Sequence, residues 1–253
     1  MKKPIIIILI AVCAVVFGYS AYQLFSYYKA DNEAETAFAV LLPDDMGSPD
    51  AAVESGGPFD FEALLPYYEK LRDENSDMVG WLRVPGTRVS YPVMQSPDDP
   101  EYYLHHDFSK AQSVPGTLFA SAYCNVNLPS DVVVIYGHRM KTGAMFGSLG
   151  DFLNQDFFTE HQNVVFDTFT ERNEYKIYGV FVEAVNVEGE FDYYNYNNFA
   201  NEEMFNKFMS GVTGHLQIEN RAYQPVFGDK ILLLSTCEYT HEDGRLIIIA
   251  VRA

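Results

Sequence analysis

The sequence predicts a mainly β domain with accessory helices. Short apolar runs rich in Val and Ile, bounded by Gly, Pro and polar residues, recur between residue 78 and the C-terminus. Runs of this length and composition are typical of buried strands. Two segments instead carry apolar residues at three- and four-residue spacing: residues 59–75, before the strands, and residues 201–212, among them. That spacing places apolar side chains on one face of a helix, so helices are expected at both places.

The N-terminus predicts a membrane anchor. Lys2 and Lys3 precede an uncharged, mostly apolar run over residues 5–25, close to the roughly 20 residues that span a bilayer. Lysines on this side favour a cytoplasmic N-terminus, so the rest of the chain is expected to be exported. A cleaved signal peptide is the alternative, with cleavage near residues 18–20. Because the apolar run is longer than a usual signal core, an uncleaved anchor over residues 1–28 is favoured.

Composition and charge restrict the kinds of partner that are expected for the chain after residue 28. Residues 29–57 are acidic and contain Gly and Pro without clear periodicity. This predicts a flexible stalk before an extracellular domain over residues 58–253. The chain has 35 acidic and 17 basic residues and a net charge of −18. Because binding to nucleic acid needs a basic face, nucleic acid is not expected to be a partner.

The elements of the domain follow in chain order. The helix over residues 59–75 contains Pro66, which is expected to end or kink it. Two short strands then flank the turn at Pro85, Gly86 and Thr87. A short helix is expected over residues 143–152. The predicted strands cover residues 81–84, 88–93, 117–120, 132–136, 164–168, 174–187, 231–234 and 246–251.

Three reactive side-chain types fall at the ends of predicted strands. Cys237 follows the apolar run over residues 231–234, and Arg245 begins the next run, so both can face one cleft. A fixed cation beside a thiol stabilises the thiolate. His138 follows a third run and also lies at a strand end. A thiol, an imidazole and a guanidinium form a nucleophile, a proton carrier and an oxyanion stabiliser. The alternative is a core cysteine and a solvated arginine.

The motifs around these residues resemble class B sortases. The cysteine motif of that family, TLxTC, is present as LLSTC with Leu in place of the leading Thr, and the arginine follows in GRLIIIA. The class B pattern YGHxMKxGxMFGxL is matched throughout by YGHRMKTGAMFGSL. VGWLRVPGTRVSYPV, YYLHHDFS and PGTLF extend the resemblance from about Phe59 to the C-terminus. It implies an eight-stranded β-barrel with N-terminal helices and a helix in the connection before the last two strands.

The resemblance also implies a reaction. A sortase of this class is a cysteine transpeptidase that cleaves a C-terminal sorting motif after Thr and transfers the protein to an amine. Its partners would be exported proteins bearing that motif, with a peptidoglycan precursor or a pilin as acceptor. By the family's motifs, Cys237 would form the thioester, His138 would carry the proton and Arg245 would hold the oxyanion. The residues expected to contact substrate are Ser235, Thr236, Tyr136 and Glu238, with the aromatic residues within 191–196 as hypothetical groove contacts.

Two other functions are compatible with these residues. A cysteine hydrolase would release the acyl-enzyme to water, and a non-catalytic, membrane-tethered binding domain would keep only the fold. No cofactor or metal is expected. Cys237 and His241 have the spacing of half a zinc site, but no second pair lies at ligand spacing.

The remaining Cys and His residues are given no catalytic role. Cys13 lies within the predicted membrane span. Cys124 and Cys237 are both expected to be free, because a disulfide would block the nucleophile, with Cys124 buried and inert. His105 and His106 are adjacent, and neighbouring residues on a strand face opposite sides. They are therefore expected to be surface or packing residues.

Overall fold

A computed structural model describes residues 2–39, 61–184, 191–237 and 244–253 of the chain. The first helix, α1, covers Lys2–Ala39. Within it, Ile8–Ser26 has a mean hydropathy of 2.0 and is long and apolar enough to cross a membrane. The helix continues past residue 28, so residues 29–39 of the predicted stalk are helical. These residues include good helix formers such as Ala and Glu and contain no Gly or Pro, which explains the continuation. The domain boundaries remain predictions.

The second helix, α2, covers Phe61–Glu74 and includes Pro66. Pro66 therefore does not end a first short helix. A proline removes one backbone hydrogen bond, and in the second turn the rest of the helix can form around it. The helix is held by a buried stripe of Leu64, Tyr68 and Leu71, because packing of such a face outweighs local propensity.

Nine strands follow within the described ranges and confirm the mainly β prediction. They are β1 Met78–Arg83, β2 Ser90–Met94, β3 Leu118–Ala120, β4 Val132–Tyr136, β5 Asn163–Asp167, β6 Arg172–Ala184, β7 Leu216–Glu219, β8 Ile231–Cys237 and β9 Gly244–Arg252. The helices between them are α3 Gln155–Glu160 and α4 Glu202–His215, with 3-10 turns at Tyr102–Leu104, Gly147–Leu153 and Tyr193–Asn195. The predicted β6 extended to residue 187, and residues 185–187 lie outside the described residues.

Eight of the strands close into a barrel. Their order is β5-β1-β2-β3-β4-β8-β9-β6, and β6 pairs back onto β5. The short strand β7, which the sequence pattern did not reveal, adds to the free edge of the second half of β6. Helix α4 lies in the connection before β8 and β9. The eight-stranded barrel and this helix confirm the fold that the family resemblance implied.

The wall formed by β4, β8 and β9 is buried on both faces. On β8, Leu232 and Leu234 face the barrel interior, whereas Ile231 and Leu233 pack in a second core that includes Phe208 of α4. A strand with two buried faces needs apolar residues at every position rather than in alternation. This is why these strands read as continuous apolar runs in the sequence.

A buried ionic cluster joins α2 to the barrel. Asp167 at the end of β5 is 0% exposed. Its carboxylate accepts hydrogen bonds from Arg83 on β1 and Arg172 on β6, and from the Tyr68 hydroxyl at 3.2 Å. Arg83 also donates to the Tyr68 oxygen at 2.8 Å. The cluster satisfies a fully buried charge, which would be costly without these partners.

Candidate active site

A cleft of about 500 Å³ opens at the C-terminal ends of β4 and β8. The 3-10 turns at Tyr102–Leu104 and Tyr193–Asn195 contribute to its rim. Its wall contains predicted site residues from three adjacent strands or their ends: Tyr136, His138, Ser235, Thr236 and Arg245.

The pairing of β4 with β8 sets the positions at the cleft. The two strands run parallel, with Tyr136 level with Ser235. The pairing continues past the end of β4, since Gly137 N donates to the Ser235 carbonyl at 3.2 Å and Thr236 Oγ1 donates to the Gly137 carbonyl at 2.7 Å. On the other side of β8, Cys237 is paired with Arg245 of β9. The backbone therefore brings positions 138, 237 and 245 to one end of the wall.

His138 is half-buried and held by a backbone acceptor. Its Nε2 lies 2.9 Å from the carbonyl oxygen of Leu104. Burial lowers the pKa of His138 below its usual value, because a charged ring loses solvation. The hydrogen bond to Leu104 opposes this shift, and His105, whose ring centroid lies 6.3 Å away, adds to it.

Arg245 supplies a cation to the cleft. Its side chain is half-buried, and Nη1 donates to the carbonyl of Gly244 at 3.1 Å. Burial raises the pKa of the Tyr193 phenol to about 12, and the nearby Arg245 opposes that rise. The structure describes the backbone of Cys237 but not its side chain.

The Ser235 and Thr236 hydroxyls already have partners within the protein. Ser235 is 1% exposed, and its Oγ lies 2.7 Å from the hydroxyl of Tyr193. Thr236 is 2% exposed, and its hydroxyl donates to the carbonyl of Gly137. Tyr136 is half-buried beside Phe119, with ring centroids 5.4 Å apart. These three residues line the cleft, whereas Glu238, the fourth expected contact, lies outside the described residues.

Cys124 is free and buried, as predicted. Its thiol donates to the carbonyl of Ser121 at 3.2 Å. Burial raises the pKa of this thiol to about 11, so it stays protonated at neutral pH.

Sequence reasoning missed three features of the cleft. The Leu104 carbonyl holds His138, exposed His105 lies beside His138, and the hydroxyl of Tyr193 is hydrogen-bonded to that of Ser235. The first two belong to the matched YYLHHDFS segment, which was the available signal. His106, by contrast, stacks on Tyr102 with ring centroids 3.9 Å apart and fits the predicted packing role.

The hypothetical groove contacts divide into two groups. Tyr193 and Tyr194 line the cleft. Phe191 and Tyr196 instead pack against Phe208 of α4, with ring centroids 5.7 and 5.2 Å from it.

Comparison with known proteins identifies the class to which this fold and cleft belong. The family model described as "Sortase domain" matches residues 82–253, and the chain belongs to the sortase family. Sortase B of Listeria monocytogenes is 32% identical over 192 residues, covering 71% of this chain and 72% of that protein. Sortase B of Staphylococcus aureus is 26% identical over 258 aligned positions, covering 99% and 97%.

The solved structures agree with this assignment and narrow it. The X-ray structure of Clostridium perfringens sortase B has a TM-score of 0.67 and 28% identity, and covers 73% of this chain and 98% of that one. Within its family the protein is a class B sortase. It is therefore an enzyme, a cysteine transpeptidase, and not a non-catalytic binding domain with the same fold.

Proposed function

We propose that the enzyme cleaves a C-terminal sorting motif of another exported protein after Thr and transfers that protein to an amine. The observation that carries the proposal is the convergence of positions 138, 237 and 245 at one cleft. These positions hold the nucleophile, the proton carrier and the fixed cation that acyl transfer requires.

The reaction has two half-steps. The Cys237 thiolate attacks the carbonyl carbon of Thr, the C–N bond breaks, and His138 gives its proton to the departing amine. The acceptor amine then attacks the resulting thioester and loses a proton to His138. The new amide bond forms as the Cys237 thiolate leaves. The same imidazole serves as acid and then as base, so each turnover restores it.

Arg245 would stabilise the negative charge that develops on the carbonyl oxygen. It is paired with Cys237 across β8 and β9, so its guanidinium starts from the strand position next to the nucleophile. Charge-assisted hydrogen bonds from a planar guanidinium suit an oxyanion. Its half-buried setting strengthens this interaction, because there is less water to screen the charge.

The substrate would lie along the cleft beside Ser235, Thr236 and Tyr136. Glu238, which follows Cys237 in the chain, is the fourth proposed contact. Since the two hydroxyls are engaged by Tyr193 and Gly137, Ser235 and Thr236 would contact the peptide mainly through backbone and carbon atoms. Family membership supports a peptidoglycan precursor or a pilin as the source of the acceptor amine. The apolar Ile8–Ser26 segment supports a single-pass anchor at the cell membrane, with the catalytic domain outside.

The test uses the full chain solubilised in detergent. It is incubated with peptides containing variants of Pro-x-Thr-Gly and Pro-x-Thr-Asn, with and without an added amine, and the products are read by mass spectrometry. We expect cleavage after Thr and ligation to the amine. Cys237→Ala abolishes both, whereas the matched control Cys124→Ala retains them.

Three outcomes would count against the proposal. Release to water alone with every amine would indicate a hydrolase. Activity retained in Cys237→Ala would remove the assigned nucleophile. Failure of every peptide to form an acyl-enzyme, despite a free Cys237 thiol, would refute the assigned substrate motif.

A further inference from the structure

The hydrogen bond between His138 and Leu104 determines which ring nitrogen carries the proton. Nε2 of His138 lies 2.9 Å from the Leu104 carbonyl oxygen. A carbonyl oxygen can only accept, so Nε2 must be the donor. In a neutral imidazole only one nitrogen carries hydrogen, which leaves Nδ1 with its lone pair. Among the contacts of the described residues, Nδ1 has no hydrogen-bond partner.

The turn that presents this carbonyl is anchored from below. Leu104 ends the 3-10 turn Tyr102–Leu104. The buried Tyr103 of the same turn donates its hydroxyl to Asp77 at 2.7 Å and accepts from Asn75 Nδ2 at 2.9 Å. Its carbonyl accepts from Thr117 N at 2.9 Å. The turn is therefore tied to the corner between α2 and β1 and to the start of the segment that leads into β3.

The same turn is fixed from the side by Gly116. This residue has φ +60°, and a Cβ there would lie 2.5 Å from the carbonyl oxygen of Tyr103 and 2.6 Å from that of Leu104. Only glycine allows the backbone to pass so close to both carbonyls. The Leu104 oxygen consequently has little freedom to move away from His138.

We propose that Leu104 is a positioning residue for the transpeptidation, and that Gly116 and Tyr103 hold its carbonyl in place. The carbonyl keeps His138 in the Nε2–H tautomer, so that Nδ1 is the nitrogen that exchanges the proton. Nδ1 gives its proton to the departing amine and takes one from the incoming amine. Nε2–H donates to Leu104 throughout, and this bond strengthens when the ring becomes cationic. The inference rests on the proposed role of His138.

The ring of His138 is oriented by a backbone carbonyl and not by a carboxylate of the described residues. The charged or titratable described groups that line the cleft with His138 are Glu101, Tyr123, Tyr136, Tyr193, Tyr194 and Arg245, and His105 lies beside the ring. No carboxylate among the described residues contacts the ring, so the backbone carbonyl takes the place that an acidic side chain has in other triads. A carbonyl orients the ring without adding a charge.

The tautomer can be measured without any substrate. The full chain, labelled with ¹⁵N-histidine and held in detergent, contains six histidines. The His138 signal is identified by its loss in His138→Gln. Above the pKa of His138 we expect a protonated Nε2 and an unprotonated Nδ1, which two-bond ¹H–¹⁵N correlation distinguishes. An Nδ1–H tautomer would overturn the proposal. The proposed transpeptidation could be refuted while the Nε2–H tautomer of His138 is confirmed. The two proposals can therefore be refuted independently.

Two glycine variants test whether the backbone holds the tautomer. In Gly116→Ala we expect a mixture of tautomers and a roughly tenfold lower kcat, the size expected from losing one hydrogen bond, with KM within about twofold. Gly228→Ala is the matched control, because Gly228 also has positive φ, +104°, but a Cβ there meets nothing within 4 Å. We expect its tautomer and kcat to equal those of the wild type.

An unchanged tautomer and kcat in a folded Gly116→Ala would overturn the role of Leu104. If that variant does not fold, Tyr103→Phe decides. It keeps the buried ring and removes only the hydroxyl that ties the turn to Asp77 and Asn75. As in Gly116→Ala, we expect a mixture of His138 tautomers and a lower kcat. A wild-type tautomer and kcat in Tyr103→Phe would then overturn the proposal.

Discussion

Replacement of Arg245 by Lys separates the charge of this residue from its geometry. The guanidinium lies at the start of β9, in the wall of the cleft and opposite Cys237 in the strand register. Lysine keeps one positive charge at the same strand position. It has no planar pair of donors, so it cannot make two parallel hydrogen bonds to an oxyanion.

We expect a large effect of Arg245→Lys on kcat and a small one on stability. Loss of one preorganised oxyanion donor lowers kcat by about 10²–10³-fold, and the retained charge places Arg245→Lys near the lower end, at roughly 10²-fold. Stability should change little. The side chain is half-exposed, and its hydrogen bond in the described structure goes to the carbonyl of the preceding residue, Gly244. We expect the free energy of unfolding to change by less than about 1 kcal/mol.

Both quantities are measured on the same preparation. The rate of ligation of a sorting peptide to an amine gives kcat and KM, and urea denaturation gives the free energy of unfolding. Arg245→Ala is the comparison that removes charge and geometry together. A folded Arg245→Lys with kcat/KM within about threefold of the wild type would refute the oxyanion assignment.

Three further variants test residues around the site and in the scaffold. Cys124→Ser should keep kcat/KM within about twofold, since its buried thiol stays protonated at neutral pH; a folded but inactive variant in the ligation assay would contradict this. His105→Asn should raise the pKa of His138, because the second ring 6.3 Å away disfavours its cation; an NMR titration showing no rise would remove that coupling. Asp167→Asn should lower the free energy of unfolding in urea by roughly 3–5 kcal/mol, because it removes the carboxylate charge that pairs with buried Arg83. A loss below about 1 kcal/mol would show that the cluster contributes little to stability.

The sequence was most informative where strands are buried on both faces. Continuous apolar runs predicted β4, β8 and β9, and with them the strand ends that carry His138, Cys237 and Arg245. The pairing of these strands could not be read from a pattern. Gly137 and Thr236 are 99 residues apart, yet they are joined by a hydrogen bond. The closed barrel was expected only from the resemblance to a family.

Other features depend on tertiary contacts that carry no local signal. The strand β7 has four residues, follows α4 directly and exists because β6 offers it a free edge. Helix α2 continues through Pro66 because its buried stripe holds it on the barrel. The motif suggested that Ser235 and Thr236 contact the substrate, but it did not show that Tyr193 and Gly137 already engage their hydroxyls.

The place of β8 between β4 and β9 makes the proposed site depend on strands that are distant in the chain. The position of Cys237 is flanked by two strands that are separated in sequence by about half the domain. In a growing chain that lacks β8 and β9, position 138 has neither position 237 nor position 245 beside it. We therefore expect acyl transfer only from chains in which all three strands have paired.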